Sequence, residues 1–145
     1  MRLFIAAPWC RRYDASQFAQ EAEKRGYTIT YKWWLAEALP TEIVKLQVFA
    51  GQDYLGIGRA EVFVLLNLET SEGKAVEQGI ALAHYRRYGT PLLLGIGDHP
   101  SNIYQNLQDF HWVQTAEEAF AWLDDQRTHL GSKTVGNEEP SKVAW

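Results

Sequence analysis

Glu61-Val62-Phe63-Val64-Leu65-Leu66-Asn67-Leu68 is the most hydrophobic run in the chain. Five consecutive apolar residues, rich in β-branched and aromatic types and with no polar alternation, suit a strand buried on both faces. Such a strand belongs in the middle of a parallel sheet. Upstream, Pro40-Thr41 opens a helical segment whose apolar face is Ile43, Val44, Leu46, Val48 and Phe49, running towards Tyr54 and Ile57. Downstream, Thr70-Ser71-Glu72-Gly73 is a polar turn, and residues 74–88 are strongly helical, carrying Val76, Ile80, Ala81, Ala83 and His84.

The same alternation extends to both ends. Residues 3–7 form a short apolar run closed by Pro8, residues 14–25 show helical spacing with Gly26 as C-cap, and residues 27–31 make a second strand before Trp33 and Trp34. Beyond the central pair, Gly89-Thr90-Pro91 breaks the helix before a strand at 92–96. The loop Gly97-Asp98-His99-Pro100 and a short segment around 102–107 lead to a fifth strand at 110–113. Thr115 caps a last helix with Glu118 at the capping-box position, ending near Arg127. Strands alternating with helices predict a parallel sheet of about five strands, flavodoxin-like or Rossmann-like, with helices on both faces. Residues 1–130 are expected to form this single domain and residues 131–145 a polar tail ending in Val143-Ala144-Trp145, which either docks on its own or a neighbouring subunit or is a disordered end. Ligands of such sheets bind beyond the C-terminal strand ends, which directs attention to the loops after Ala7, Trp33, Leu68 and Ile96.

A length of 145 residues fits one core, and a net charge of −4 speaks against a general nucleic-acid-binding surface. The single cysteine, Cys10, excludes an internal disulfide framework and suits a reducing cytoplasm. No stretch approaches a membrane span or a signal segment. His84, His99, His111 and His129 lack metal-ligand spacing, so no metal and no other cofactor is expected. Gly95-x-Gly97 is too sparse for a dinucleotide fingerprint, and neither a Walker-type loop nor a Gly-x-Ser-x-Gly elbow occurs.

Among the residues able to carry chemistry, Glu77 stands first. It falls about one turn into the helix after the central strand, where the helix dipole favours an ionised carboxylate. It could serve there as a nucleophile, or merely complement the dipole on a solvated surface. Asp53 lies near the expected C-terminal end of the second helix, an electrostatically disfavoured place for an acid. A function or a simple boundary turn at Gly56 accounts for it equally well. Trp9 is placed to stack on a base or to pack a loop, and Arg11 and Arg12 to meet a phosphate at a helix N-terminus or simply to be solvated.

Two segments in sequence carry a resemblance. Asp53-Tyr54-Leu55-Gly56-Ile57-Gly58-Arg59-Ala60-Glu61 runs straight into the hydrophobic strand, and Gly73-Lys74-Ala75-Val76-Glu77-Gln78-Gly79-Ile80-Ala81-Leu82-Ala83 follows it. Together with the start Leu3-Phe4-Ile5-Ala6-Ala7-Pro8-Trp9 and with Thr90-Pro91-Leu92-Leu93, this order is similar to that of the nucleoside 2-deoxyribosyltransferase family. Its relatives, the deoxynucleoside monophosphate N-glycosidases, share the pattern. The resemblance spans about residues 2–124 and implies that Glu77 is the nucleophile and Asp53 the acid that assists it. Ala7, Trp9, Arg11, Asn67, Ser71 and Gly73 are the implied substrate contacts. It also implies a homo-oligomer, dimer or higher, in which a neighbour completes the site. Glu61 stands where the family usually has Asp, Ala7-Pro8 replaces a Gly-containing turn, and the family's further acid before the nucleophile has no clean match. Glycosidic-bond cleavage is therefore the firmer expectation and transfer the weaker.

A 2-deoxyribosyl C1′ has no electron-withdrawing 2-hydroxyl, so a carboxylate can trap its oxocarbenium-like transition state as an ester and release the base. A second base attacking that ester gives transfer, and water gives hydrolysis. The alternatives are a hydrolase of nucleoside 5′-monophosphates and a non-catalytic nucleotide-binding module. If the two acids act as in retaining glycosidases, they should lie roughly 5–6 Å apart or be bridged by substrate.

Overall fold

Five strands form one all-parallel sheet in the order β2-β1-β3-β4-β5 in the computed structural model, which describes residues 1–98 and 102–133. They are β1 (Arg2–Ala6), β2 (Thr28–Ile29), β3 (Val62–Leu66), β4 (Leu92–Ile96) and β5 (Phe110–Val113). This is the flavodoxin-like order among the two expected. The central strand is β3, all of whose residues are buried, paired to β1 in the register Leu3↔Val62 and to β4 in the register Val62↔Leu92. Phe4 of β1 stacks on Phe63 of β3 with ring centroids 5.9 Å apart.

The helices are α1 (Arg12–Lys24), α2 (Ile43–Arg59), α3 (Glu72–Tyr88) and α4 (Ala116–Lys133). Phe18 of α1 stacks on Phe120 of α4 at 4.7 Å on one face, while α2 and α3 pack together on the other. Capping follows the sequence chemistry. Ser71 Oγ accepts the Lys74 N–H at 3.1 Å, and Thr115 Oγ1 accepts the Glu118 N–H at 3.2 Å. Gly89 ends α3 in the left-handed region at φ 74°, its N–H bonded to Tyr85 O, a backbone state that a β-carbon would strain. No helix among the described residues is long and apolar enough to cross a membrane.

Two boundaries differ from expectation. The second strand is only two residues long, pairing Thr28 with Arg2 and Ile29 with Leu3, and farther along β1 the Trp33 indole N–H donates to the Ile5 carbonyl at 2.8 Å. The last helix runs past Arg127 to Lys133, so the boundary at residue 130 falls inside it. Thr128 Oγ1 donates to Asp124 O, and the His129 ring pairs with Asp125 O, tying that extra turn down. A separate finding concerns α2, whose sequence gives it an apolar face without saying what that face meets. Ile43 is 74% exposed and Val44 70%, while only Gly56 and Ile57 are buried. The helix docks through Gly56 and Ile57, with Phe49 packed beside the core, and its first turn is exposed. His99 and the terminal Val143-Ala144-Trp145 lie outside the described residues.

Candidate active site

β1 and β3 are neighbours, but the chain leaves β1 towards β2 on one side and β3 towards β4 on the other. The departing loops therefore diverge and open a crevice above the C-terminal strand ends. A cavity of about 360 Å³ lies there. Ala7, Trp9 and Trp33 line it from the exits of β1 and β2; Leu39, Leu46, Phe49, Ala50 and Asp53 from α2 and its approach; Ser71, Gly73, Lys74 and Glu77 from α3. A larger cavity, about 670 Å³, opens near the opposite strand ends among Arg2, Arg59, Glu61, Thr90 and His129. The side-chain polar atoms that are buried without a partner among the described residues belong to the first cavity, not the second.

Those atoms are Asp53 Oδ1 and Glu77 Oε2. Neither finds an N–H or O–H donor, and the two carboxyl groups instead lie within hydrogen-bonding reach of each other. Two carboxyl oxygens can bond only if one of them carries a proton. Burial pushes Asp53 up to about 6, partly offset by its bond to Glu77. Burial, followed by the neighbouring Asp53 charge, pushes Glu77 well above the usual carboxylate range. The pair thus shares one proton near neutrality, as carboxyl dyads do when like charges are held together.

This reverses one expectation and refines two. The helix dipole does not keep Glu77 ionised: Glu77 is the sixth residue of α3, beyond the turn where the dipole acts, and desolvation dominates. Asp53 sits well inside α2, not near its end, so the dipole is no explanation for it either. The carboxyl groups lie within hydrogen-bonding reach of each other, a closer approach than the expected glycosidase separation.

Lys74 was not singled out in the sequence, yet it is 3% exposed and lines the cavity one turn before Glu77. Its Nζ donates to Asn67 Oδ1 at 3.3 Å and to Glu69 O, and burial holds its pKa below the usual lysine range. The available signal was a cation in the first turn of a helix, where the dipole disfavours it. Gln105 is also buried, and its Nε2 donates to Gln78 Oε1 at 2.9 Å and to Asn67 Oδ1 at 3.3 Å. Asn67 therefore stands behind the cavity as the acceptor that positions Lys74, and does not line it.

Arg11 does not face the cavity either. Its Nε donates to Asp14 Oδ2 at 2.8 Å and its Nη1 to Glu69 Oε1 at 3.4 Å, so protein carboxylates already match its charge. Arg12 lies over the Trp9 ring, 5.1 Å from its centroid. Ala7, Trp9, Ser71 and Gly73 do meet Asp53 and Glu77 around one space. Glu61, where the resembled family has Asp, has a structural role, since its Oε2 accepts the Arg2 N–H at 2.7 Å and joins β1 to the start of β3. In comparisons with known proteins, no family model, no curated protein and no solved structure matches the chain.

Proposed function

We propose that this protein cleaves the N-glycosidic bond of (2-deoxy)nucleosides through a covalent glycosyl-Glu77 intermediate, in the manner of the nucleoside 2-deoxyribosyltransferases it resembles. The observation that carries the proposal is the proton-sharing Asp53–Glu77 pair, unpartnered by any donor, in an aromatic-walled cavity at the switch point of the sheet. At rest Glu77, the more strongly raised of the two, holds the pair's single proton; passed to Asp53 across their bond, it leaves Glu77 as the anion that attacks C1′ and Asp53 as the acid that protonates the departing base. One pair supplies both functions from one proton. The attacking electron pair comes from Glu77, the glycosidic electrons leave with the base, and the Asp53 proton neutralises it. Water or a second base then opens the ester, with Asp53, now ionised, taking the incoming proton.

Incubation with deoxynucleosides, with and without an added acceptor base, tests the proposal by chromatography of free base and of new nucleoside. Base released only when acceptor is present indicates transfer, and release in buffer alone indicates hydrolysis. Tight binding without release would support a sensing module instead. The 5′-monophosphates belong in the same panel, because Ser71, Gly73 and Lys74 bring the N-terminus of α3 to the cavity edge, a setting suited to an anion.

The shared proton predicts the pH dependence. Asp53 at about 6 sets the acid limb: below it both carboxyls are protonated, no nucleophile remains, and kcat/KM falls about tenfold per unit. The alkaline limb lies above it, where Glu77 loses the last proton and the base has no acid. An initial-rate profile from pH 4 to 10 that is flat between 4 and 7 would overturn the dyad assignment.

The exposed apolar turns of α2 support a homo-oligomer, as the resemblance implies. Leu35, Leu39, Ile43, Val44 and Val48 are exposed beside the cavity mouth. Several large apolar side chains exposed on one helix and its approach suit an interface between subunits. Val44→Asp is expected to leave the circular dichroism spectrum and melting cooperativity unchanged while lowering the molar mass measured by light scattering. An unchanged mass for wild type and variant would count against an interface through α2.

A further inference from the structure

The buried residues of α3 are Lys74, Gln78 and Ala81, which fall on one stripe of the helix. Two of the three are polar, whereas the apolar Val76 of the same helix is 63% exposed. Apolar contact is non-directional and leaves a helix some freedom to roll on its sheet. Hydrogen bonds have a preferred geometry, so a buried polar stripe with matched partners fixes the roll.

The partners of that stripe form one connected chain. Asn67 Oδ1 accepts from Lys74 Nζ and from Gln105 Nε2, each at 3.3 Å, and Gln105 Nε2 also donates to Gln78 Oε1 at 2.9 Å. Gln78 Nε2 donates to Asn102 Oδ1 at 3.3 Å. The same Asn102 oxygen accepts the Tyr104 and Gln105 N–H groups and so caps the short 3-10 turn that carries Gln105. Trp112 Nε1, donating to Gln105 O at 2.9 Å, ties that turn to β5. Lys74, Gln78 and Gln105 are the buried polar side chains among the described residues, and all of them meet here. Glu77 immediately precedes Gln78, so a roll of α3 would swing its carboxyl towards or away from Asp53 of α2. We infer that Gln78 and Gln105 are positioning residues: by fixing the roll of α3 they hold Glu77 against Asp53, although neither lines the cavity. The consequence for rate rests on the N-glycosidic reading above, and the consequence for the carboxyl pair does not.

The experiment uses Gln105→Leu, which keeps an apolar side chain in the same space and removes the amide. Base release from deoxynucleosides is measured beside thermal melts at pH 8 of the wild type, Gln105→Leu, Glu77→Gln and the double variant. The expected kcat is lower by about 10- to 100-fold with KM within about threefold, because a misaimed nucleophile still meets substrate but attacks it poorly. In the melts, the rise that Glu77→Gln produces should shrink by about half or more in the Gln105→Leu background, since carboxyls no longer held together have less repulsion to relieve. Additive melting shifts, or a kcat within about threefold of an active wild type, overturn the inference and leave the network a purely structural one. A wild type that releases no base sinks the glycosidic reading, and the melts then decide the inference by themselves: coupling upholds it and additivity overturns it. Should Gln105→Leu melt without cooperativity, Gln78→Met takes its place in the same cycle with the same expected outcomes.

Discussion

Glu77→Gln is expected to abolish base release, by at least about a thousandfold in kcat, while making the folded protein more stable at pH 8. The amide cannot form the glycosyl ester, so the chemical step has no nucleophile. The stability gain follows from the same site. Both carboxyl groups of the pair are raised above their ordinary values, Asp53 to about 6. A raised carboxyl favours the folded state below its unfolded pKa of about 4, and that contribution is lost as pH rises through the folded value. The wild type therefore carries its penalty above about pH 6, where the pair is asked to ionise in a partly desolvated cavity. Gln removes one acid and gives Asp53 an N–H donor. A gain of about 1–2 kcal/mol at pH 8, allowing for solvent screening of the half-exposed Asp53, should shrink to nothing near pH 4. Thermal melts at the two pH values, alongside the rate, decide it. Base release within tenfold of wild type would remove Glu77 from the mechanism, and a destabilised variant at pH 8 would remove the buried dyad. Glu77→Asp, which retracts the carboxylate by one methylene, should keep the fold and lose about a hundredfold in rate.

Gly95→Val is expected to be the most damaging single change to the fold outside the site. A β-carbon on Gly95 would sit 2.4 Å from Trp112 Cζ3, with Cε3 and Cη2 within 2.6 Å, so the indole fills the space that the glycine leaves on β4. Neither neighbour can yield cheaply. β4 is hydrogen-bonded to strands on both sides, and the Trp112 Nε1 donates to Gln105 O at 2.9 Å. Displacing Trp112 would also release Gln105, whose amide supports Gln78 and Asn67 behind the cavity. The expected cost is about 3 kcal/mol, or a melting temperature lower by roughly 10 °C. In the Trp112→Ala background the same substitution should cost much less, since the clash is gone. Equal losses in the two backgrounds would show that the strand and not the indole sets the requirement for glycine.

That glycine illustrates what could be read in advance and what could not. Gly95-x-Gly97 was dismissed as a nucleotide fingerprint because of its spacing, which is a local property. That Gly95 exists for Trp112, seventeen positions on, depends on the register that pairs Gly95 with Trp112 across β4 and β5. Likewise, α2 carries an apolar face at helical spacing, but periodicity says only that such a face exists. Whether it meets the core or solvent depends on where the helix docks, and here Gly56 and Ile57 are buried and Phe49 packs beside the core while Ile43 and Val44 stay exposed.

By itself the sequence determined the alternation of strands and helices, the burial of residues 62–66 at the centre of the sheet, and the capping by Ser71, Gly89 and Thr115. These follow from periodicity and from backbone chemistry within a few residues, which the linear order contains. The resemblance to the nucleoside 2-deoxyribosyltransferase pattern also brought Asp53 and Glu77 forward as a pair. Only the tertiary structure decided that they share a proton, that Lys74 is buried beside them, and that Arg11 and Asn67 stand outside the cavity. Protonation depends on desolvation and on which charges are brought within a few ångströms, and those distances arise when separate elements pack.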